Sequence, residues 1–383
     1  IEDFSEAIAL NPNFAEAYIN RGNAYAKLNE YERAIKDYDR AIALNPDDAK
    51  AYYNRGNAYA ELNEHEQAIK DYDKAIELNP ALAEVYSNRG VAYAKLNKYE
   101  RAIEDYNRAI ALNPNYAEAY YNRGVAYAEL NQPERAIEDF STAIALNPDY
   151  AEAYNNRGVA YAKLNRHERA IEDYDRAIAL NPDYAEAYNN RGFTYAKLNE
   201  YERAIEDFSK AIELNPAFAE AYNYRGLAYA KLNRHERAIE DCDRAIALNP
   251  AFAEAYASKG IAYSEIQRYE ESARDLKKAG ILFLHSGKEE YAVKAFYICF
   301  KLRDKIENDD IVYCGLALLL LTSDADVMNE LKGMRIRDEN LRRILELAMR
   351  KLRKEDISEE MAVLEGIEKR EGMMPLLELL KRA

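Results

Sequence analysis

The sequence predicts an all-α solenoid, and three observations carry that prediction. Asn-Pro recurs at 11–12, 45–46, 79–80, 113–114, 147–148, 181–182, 215–216 and 249–250, a spacing of 34 residues throughout. A fixed period of this size marks one supersecondary unit stacked on itself. Between successive Asn-Pro pairs lie two segments with apolar residues at helical spacing, from about Ala15 to Leu28 and from about Tyr31 to Leu44 in the first full unit. The phrase YINRG at Tyr18–Gly22 returns at the same place in later units as YYNRG, YSNRG, YYNRG, YNNRG and YNNRG.

The elements follow in order. Ile1–Pro12, IEDFSEAIALNP, matches IEDFSTAIALNP at Ile137–Pro148 and reads as the second half of a unit, so the visible N-terminus cuts into a repeat. In the first helix of a full unit, Tyr18, Gly22 and Tyr25 share one face. In the second, Ala34, Tyr38, Ala41 and Ile42 share another. The small residues allow close approach, and the Tyr rings fill the space between helices. Asn29 and Asn45 follow the two helices, and Asn tolerates the left-handed conformation that ends a helix. Pro46 cannot continue a helix, and Pro133 takes a first turn, where its missing N–H is harmless. The eighth unit, from Ala251, is degenerate: YASKG replaces the phrase and no Asn-Pro ends it.

Tyr18, Gly22, Tyr25, Ala34, Tyr38, Ala41 and Pro46 resemble the signature of the tetratricopeptide repeat family, and each later unit restates them. The resemblance covers residues 1–284. It implies antiparallel helix pairs stacked into a right-handed superhelix, with first helices lining a concave groove. Arg21 stands where the family usually has Leu, and Tyr18 where Trp is frequent; both concern packing.

Residues 285–383 do not repeat and resemble no family, which predicts two domains, 1–284 and 285–383. Helices are expected near 289–307, 311–321, 324–334, 337–355 and 358–382. Leu341, Ile344, Leu345, Ala348 and Leu352 recur at helical spacing and should be buried. Arg342, Arg343, Arg350, Lys351, Arg353 and Lys354 should form a solvated face. This region is expected to cap the last unit, because an open solenoid end leaves apolar surface exposed.

Composition narrows the function. The chain is 49% hydrophobic and 32% charged, with a net charge of −15, which fits neither disorder nor membrane burial. No apolar run reaches the ~18 residues of a spanning helix, and IVYCGLALLLLTS from Ile311 reads as a buried helix. The acidic balance opposes phosphate-backbone binding. Cys242, Cys299 and Cys314 have no metal spacing and read as buried thiols in a reducing, cytoplasmic setting. His65, His167 and His235 each replace a Tyr at one repeat position. There is no Gly-rich phosphate loop, metal-binding HExxH or nucleophile elbow. The expectation is therefore no catalytic residue, metal or cofactor, no nucleic acid and no membrane.

A mid-helix Asn has low helix propensity, so its recurrence needs a reason. Asn20 lies about 200° from Tyr18 around the helix, with Glu16, Asn23 and Lys27 on the same stripe. In the resembled family this stripe faces the groove. Glu16 and Lys27 sit in the first and last turns, where they complement the helix dipole. The amides Asn20, Asn54, Asn88, Asn122, Asn156 and Asn190 either bond to each other and to neighbouring helices, or form a ladder of donors and acceptors for a peptide backbone, or are copies left by duplication. Long relatives of the sugar-transferase and motor-adaptor type carry such a ladder. Beside it, Asn23 and Asn57 give way to Val91, Val125, Val159, Phe193 and Leu227, an apolar row, and Lys163, Lys197 and Lys231 run consecutively. The carboxylate clamp of some relatives needs a Lys four residues before a groove Asn, where Ile19 and Tyr53 stand; only Lys50 of its basic residues is matched. Arg21 and its equivalents flank the core, which suits a stem over the Tyr rings with the head paired to a carboxylate.

These readings lead to a scaffold that binds extended peptide segments of protein partners through the Asn ladder and its apolar and basic neighbours. Two alternatives stand beside it: end-to-end self-association into a structural assembly, and a sensor arm for an effector in 285–383.

Overall fold

The computed structural model describes residues 1–352 and 374–382. Among the described residues every regular element is helical. They form two compact units, Ile1–Ala187 and Tyr188–Ala383.

In the first unit a helix over Glu2–Leu10 precedes five helix pairs: Ala15–Lys27 with Tyr31–Leu44, Ala49–Glu61 with His65–Leu78, Ala83–Lys95 with Tyr99–Leu112, Ala117–Glu129 with Pro133–Leu146, and Ala151–Lys163 with His167–Leu180. Each first helix ends as expected, on an Asn in the left-handed region; φ is 59° at Asn29 and 57° at Asn97. The next backbone N–H then reaches back five residues, Glu30 N to Tyr25 O at 2.9 Å, which satisfies a terminal carbonyl. The second helices end differently. Asn45 is extended, φ −138° and ψ 89°, not left-handed. The following proline ring disfavours helical backbone at the residue before it. The Asn earns its place through its side chain: Asn113 Oδ1 accepts the Asn115 backbone N–H at 3.1 Å and Asn79 Oδ1 that of Ala81 at 3.2 Å.

Close approach explains the invariant glycine of the phrase. A Cβ on Gly90 would lie 2.7 Å from Tyr106 Cε1, inside van der Waals contact. Ala34, Ala68, Ala102 and Tyr38, Tyr72, Tyr106 are fully buried at this junction. The arginines pair as expected and do more. Arg55 Nε and Nη2 donate to the two carboxylate oxygens of Asp71, at 2.7 and 2.6 Å, while Nη1 donates to Asp39 on the preceding second helix at 2.5 Å. Arg123 does the same with Asp139 and Asn107, and Arg157 with Asp173 and Ser141. Each arginine thus ties three helices together.

In the second unit the remainder of Ala185–Lys197 pairs with Tyr201–Leu214, followed by Ala219–Lys231 with His235–Leu248 and Ala253–Glu265 with Tyr269–His285. The degenerate unit keeps the same devices with other residues. Lys259 replaces the arginine and pairs with Asp243 at 2.8 Å and Asp275 at 3.3 Å, and Gln267 takes the left-handed position, φ 63°.

Beyond it come Glu289–Phe300, a short turn over Lys301–Asp304, Asp309–Thr322, Ala325–Gly333, Glu339–Leu352 and Met374–Arg382. The expected 358–382 segment lies outside the described residues up to 373. One apolar core runs from Ala253 and Leu276 through Phe296 and Leu316 to Leu380, so this region covers the end of the eighth unit. The glycine device continues here: a Cβ on Gly280 would clash with Phe296 and one on Gly315 with Leu331, the same sixteen-residue spacing that separates Gly22 from Tyr38. Ile311–Leu320 is buried at every residue, as the unbroken apolar run predicts. Leu341, Ile344, Leu345 and Ala348 are buried and Leu352 half-buried. The basic face is only partly solvated. Arg342 is exposed, but Lys351 Nζ donates to the carbonyls of Leu380 and Lys381, at 2.5 and 2.7 Å, capping the C-terminus of the last helix. Arg353 and Lys354 lie outside the described residues.

Candidate functional site

In the first unit Asn20, Asn54, Asn88, Asn122 and Asn156 are half-buried on the outward stripe of the first helices. Their amides are used unequally. Asn54 Nδ2 donates to Asn23 Oδ1 at 2.9 Å. Asn88 Nδ2 donates to Asn57 Oδ1 at 2.9 Å and to the Tyr53 hydroxyl at 3.1 Å. Asn156 Nδ2 donates to the Tyr121 hydroxyl at 3.0 Å. The partners stand 31 or 35 residues earlier, on the preceding first helix. For Asn122 those positions hold Val91 and Ser87, and its amide has no hydrogen-bond partner among the described residues. The stripe is therefore a set of amides whose NH2 groups mostly face a neighbouring helix. The carbonyl oxygens of Asn54 and Asn88 take no bond among the described residues.

Val91, Val125 and Val159 are half-buried, with Val91 packed beside Tyr106 and Val125 beside Phe140, so this row belongs partly to the core. Lys163 is exposed. A recess of about 510 Å³ opens beside the second and third 34-residue repeats, with Asn57, Glu61, His65, Asn88, Lys95 and Glu118 in its lining.

Sequence reasoning missed the residue before the ladder. Asn155 is 4% exposed, its Nδ2 donating to Asn156 Oδ1 at 3.2 Å, and it lies close to the Tyr184 hydroxyl. Burial pushes the Tyr184 hydroxyl up to about 12. The doubled Asn of YNNRG was the available signal.

In the second unit Asn190 is half-buried, and the next ladder position holds Tyr224. Here the apolar row is exposed: Phe193 37%, Leu227 39% and Ile261 39%. Lys197 and Lys231 are exposed beside it, and Lys197 Nζ lies 5.0 Å from the Phe193 ring centre. The structure thus places the amides, the row and the lysines on first helices, with the row solvent-facing only in the second unit.

Among the described residues no group of His, Cys, Asp and Glu is arranged to hold a metal ion, and no helix is long and apolar enough to cross a membrane. Cys242, Cys299 and Cys314 are buried, and burial pushes the Cys242 thiol up to about 12, away from reactivity.

Comparison with family models matches a TPR repeat model at 1–29, 22–63, 56–97 and 92–131, and a tetratricopeptide repeat model at 117–150, 151–184, 185–218 and 219–252. The chain belongs to the tetratricopeptide repeat family. The matches stop at 252, before most of the degenerate eighth unit. No curated protein matches the chain. Among solved structures it is similar to a tetratricopeptide repeat protein from Parabacteroides merdae, at 21% identity over 64% of this chain and 98% of that one, with a TM-score of 0.53. It is also similar to the APC/C hetero-tetramer Cut9-Hcn1, at 17% identity over 78% of this chain and 58% of that one, TM-score 0.55. Both likenesses concern the fold. YrrB, described as a TPR protein with an unusual peptide-binding site, is 33% identical over 48% of this chain and 95% of that one, TM-score 0.42. Tetratricopeptide repeat proteins are generally non-enzymatic scaffolds for protein–protein interaction, and that architecture is the one found in this chain.

Proposed function

We propose that the chain binds extended peptide segments of partner proteins along the outward stripe of its first helices. The half-buried amide ladder carries this reading. A peptide backbone offers an N–H and a C=O at each residue, and it needs fixed polar groups to meet them. Asn54 and Asn88 are held in place by the bonds of their NH2 groups, which leaves their oxygens as oriented acceptors for peptide N–H. Asn122 offers both its donor and its acceptor. Groups fixed before binding lose less freedom on association.

Asn122 supplies the test, because its removal breaks no bond within the described residues. Peptides selected from a random library on the full chain are titrated into wild type and Asn122→Ala by calorimetry. Affinity should fall several-fold, as expected for one lost hydrogen bond, with the melting temperature unchanged or slightly raised. Equal affinity for every selected peptide would remove the ladder from the interface.

A further inference from the structure

We propose that the sixth and seventh 34-residue repeats form an anchor pocket for one large apolar side chain of a bound peptide, with acidic residues next to that anchor. The proposal rests on the groove reading above and names the chemistry of its occupant.

Two replacements build the pocket. Tyr224 stands where six other repeats place the ladder Asn, and Phe193 stands where the third to fifth repeats place Val. Their ring centres lie 5.1 Å apart, and Tyr224 is 5.9 Å from buried Phe208. With Leu227 these rings wall a cavity of about 220 Å³, open to solvent. An apolar cavity of about 150 Å³ takes a benzene molecule, so this one suits a phenyl or branched aliphatic side chain. The walls are not a satisfied core: Phe193 and Leu227 keep 37% and 39% of their surface in solvent. The Tyr224 hydroxyl has no hydrogen-bond partner among the described residues. It can therefore serve the peptide backbone as the amide does in other units.

The rim fixes the charge of the occupant. Lys197 and Lys231 both line the cavity and are exposed. Neither has a carboxylate within ion-pair distance among the described residues, although the chain carries a net charge of −15. Three lysines further along are paired, Lys259 with Asp243, Lys277 with Asp310 and Lys288 with Glu254. Two unpaired ammonium groups one repeat apart, beside an open apolar recess, complement an anchor flanked by Asp or Glu. Two carboxylates, Glu220 and Glu254, act on Tyr224 but do not line the cavity, whose charged lining is the two lysines.

A random peptide library selected on the full chain tests this. The enriched peptides should share an aromatic or branched aliphatic residue with Asp or Glu beside it. Replacing that residue by Ala should weaken binding about ten- to a hundredfold. Tyr224→Asn, which installs the residue six other units carry and so preserves the fold, should erase most of that difference. The double variant Lys197→Glu, Lys231→Glu should weaken the enriched peptides at least tenfold and reduce the salt dependence of binding. Enriched peptides without the pattern, or with affinity indifferent to Tyr224→Asn, would overturn the pocket and leave the groove reading standing. A library yielding no binder would overturn both. Self-association of the wild type that Tyr224→Asn abolishes, read by sedimentation, would make a second copy the occupant and overturn the peptide assignment.

Discussion

Arg89 grips Asp105 through two parallel hydrogen bonds, Nε to Oδ2 at 2.8 Å and Nη2 to Oδ1 at 2.6 Å. Its third nitrogen reaches Asp73 on the preceding second helix at 2.5 Å. Asp105 is buried, and that burial raises its carboxyl pKa above the ordinary value even against the guanidinium. Without the arginine the aspartate would remain as an unpaired buried charge. Arg89→Ala should therefore destabilise the fold by about 3 kcal/mol, read from denaturant midpoints. Arg89→Ala with Asp105→Ala should cost less than the single change, because no orphan is left. Arg89→Lys should fall between, since Lys259 fills the same role in the eighth unit. Equal costs for the single and double variants would mean that the buried carboxylate is not the source of the loss.

That pairing marks the boundary of what one sequence discloses. The angle of Arg21 around its helix implied a carboxylate partner, because helical periodicity is local. The identity of the partner, Asp37, depends on how the second helix docks sixteen residues later. The ladder follows the same division. Its stripe was legible from spacing, but whether each amide has a partner depends on residues 31 and 35 positions earlier, across the junction between units. Asn45 misled for another reason. Both Asn positions follow helices, but only one precedes proline, and the proline ring selects an extended backbone there. Lys351 read as solvated because its partners are carbonyls of the last helix, distant in sequence.

Two buried amides in the second unit lack the neighbouring hydroxyl that Asn155 has in the first. Asn155 lies close to the Tyr184 hydroxyl, twenty-nine residues on. At the same spacing from Asn189 and Asn223 stand Phe218 and Phe252, and both amide oxygens are buried with no hydrogen-bond partner. A buried acceptor left unmet costs about 1–3 kcal/mol. Phe218→Tyr and Phe252→Tyr should each raise stability by about 1 kcal/mol, seen as a higher melting temperature, and the two gains should add approximately. No gain in either variant would show that water already meets these oxygens.

Alkaline solution should unfold the protein. Tyr38, Tyr72 and Tyr106 are buried, and burial holds each hydroxyl well above the ordinary value of 10.0. In the unfolded chain they ionise near that ordinary value. Raised folded values mean that the unfolded state loses its protons first. The stability they contribute is whole below about pH 10 and falls as pH rises beyond it. Urea midpoints measured across that range should drop together with the rise of tyrosinate absorbance. Tyr106→Phe, the residue already present at the equivalent Phe140 and Phe208, should lessen the drop at little cost near neutrality. A stability profile that stays flat past pH 10 would contradict this.

The ladder separates two costs that a uniform row of Asn would confound. Asn88→Ala removes bonds to Asn57 and Tyr53 within the fold, whereas Asn122→Ala removes none among the described residues. Asn to Ala within a helix gains about 0.5 kcal/mol of propensity. For Asn122 that gain stands alone, so the variant should fold as well as the parent or slightly better. For Asn88 the lost hydrogen bonds, each about 0.5–1.5 kcal/mol, outweigh it, and the melting temperature should fall. Asn156→Ala loses its bond to Tyr121 and the one it accepts from buried Asn155, so its melting temperature should fall as well. Combining Asn122, Asn156 and Asn190→Ala should then weaken a library-selected peptide by well over tenfold if each amide meets its backbone, since about 1.4 kcal/mol is a factor of ten. Thermal melting and calorimetric titration on the same samples distinguish the outcomes. A stability loss at Asn122 as large as at Asn88 would make the whole ladder structural. Preserved stability with preserved affinity in the triple variant would leave these amides as copies of one ancestral unit, and peptide recognition would have to be sought on another face.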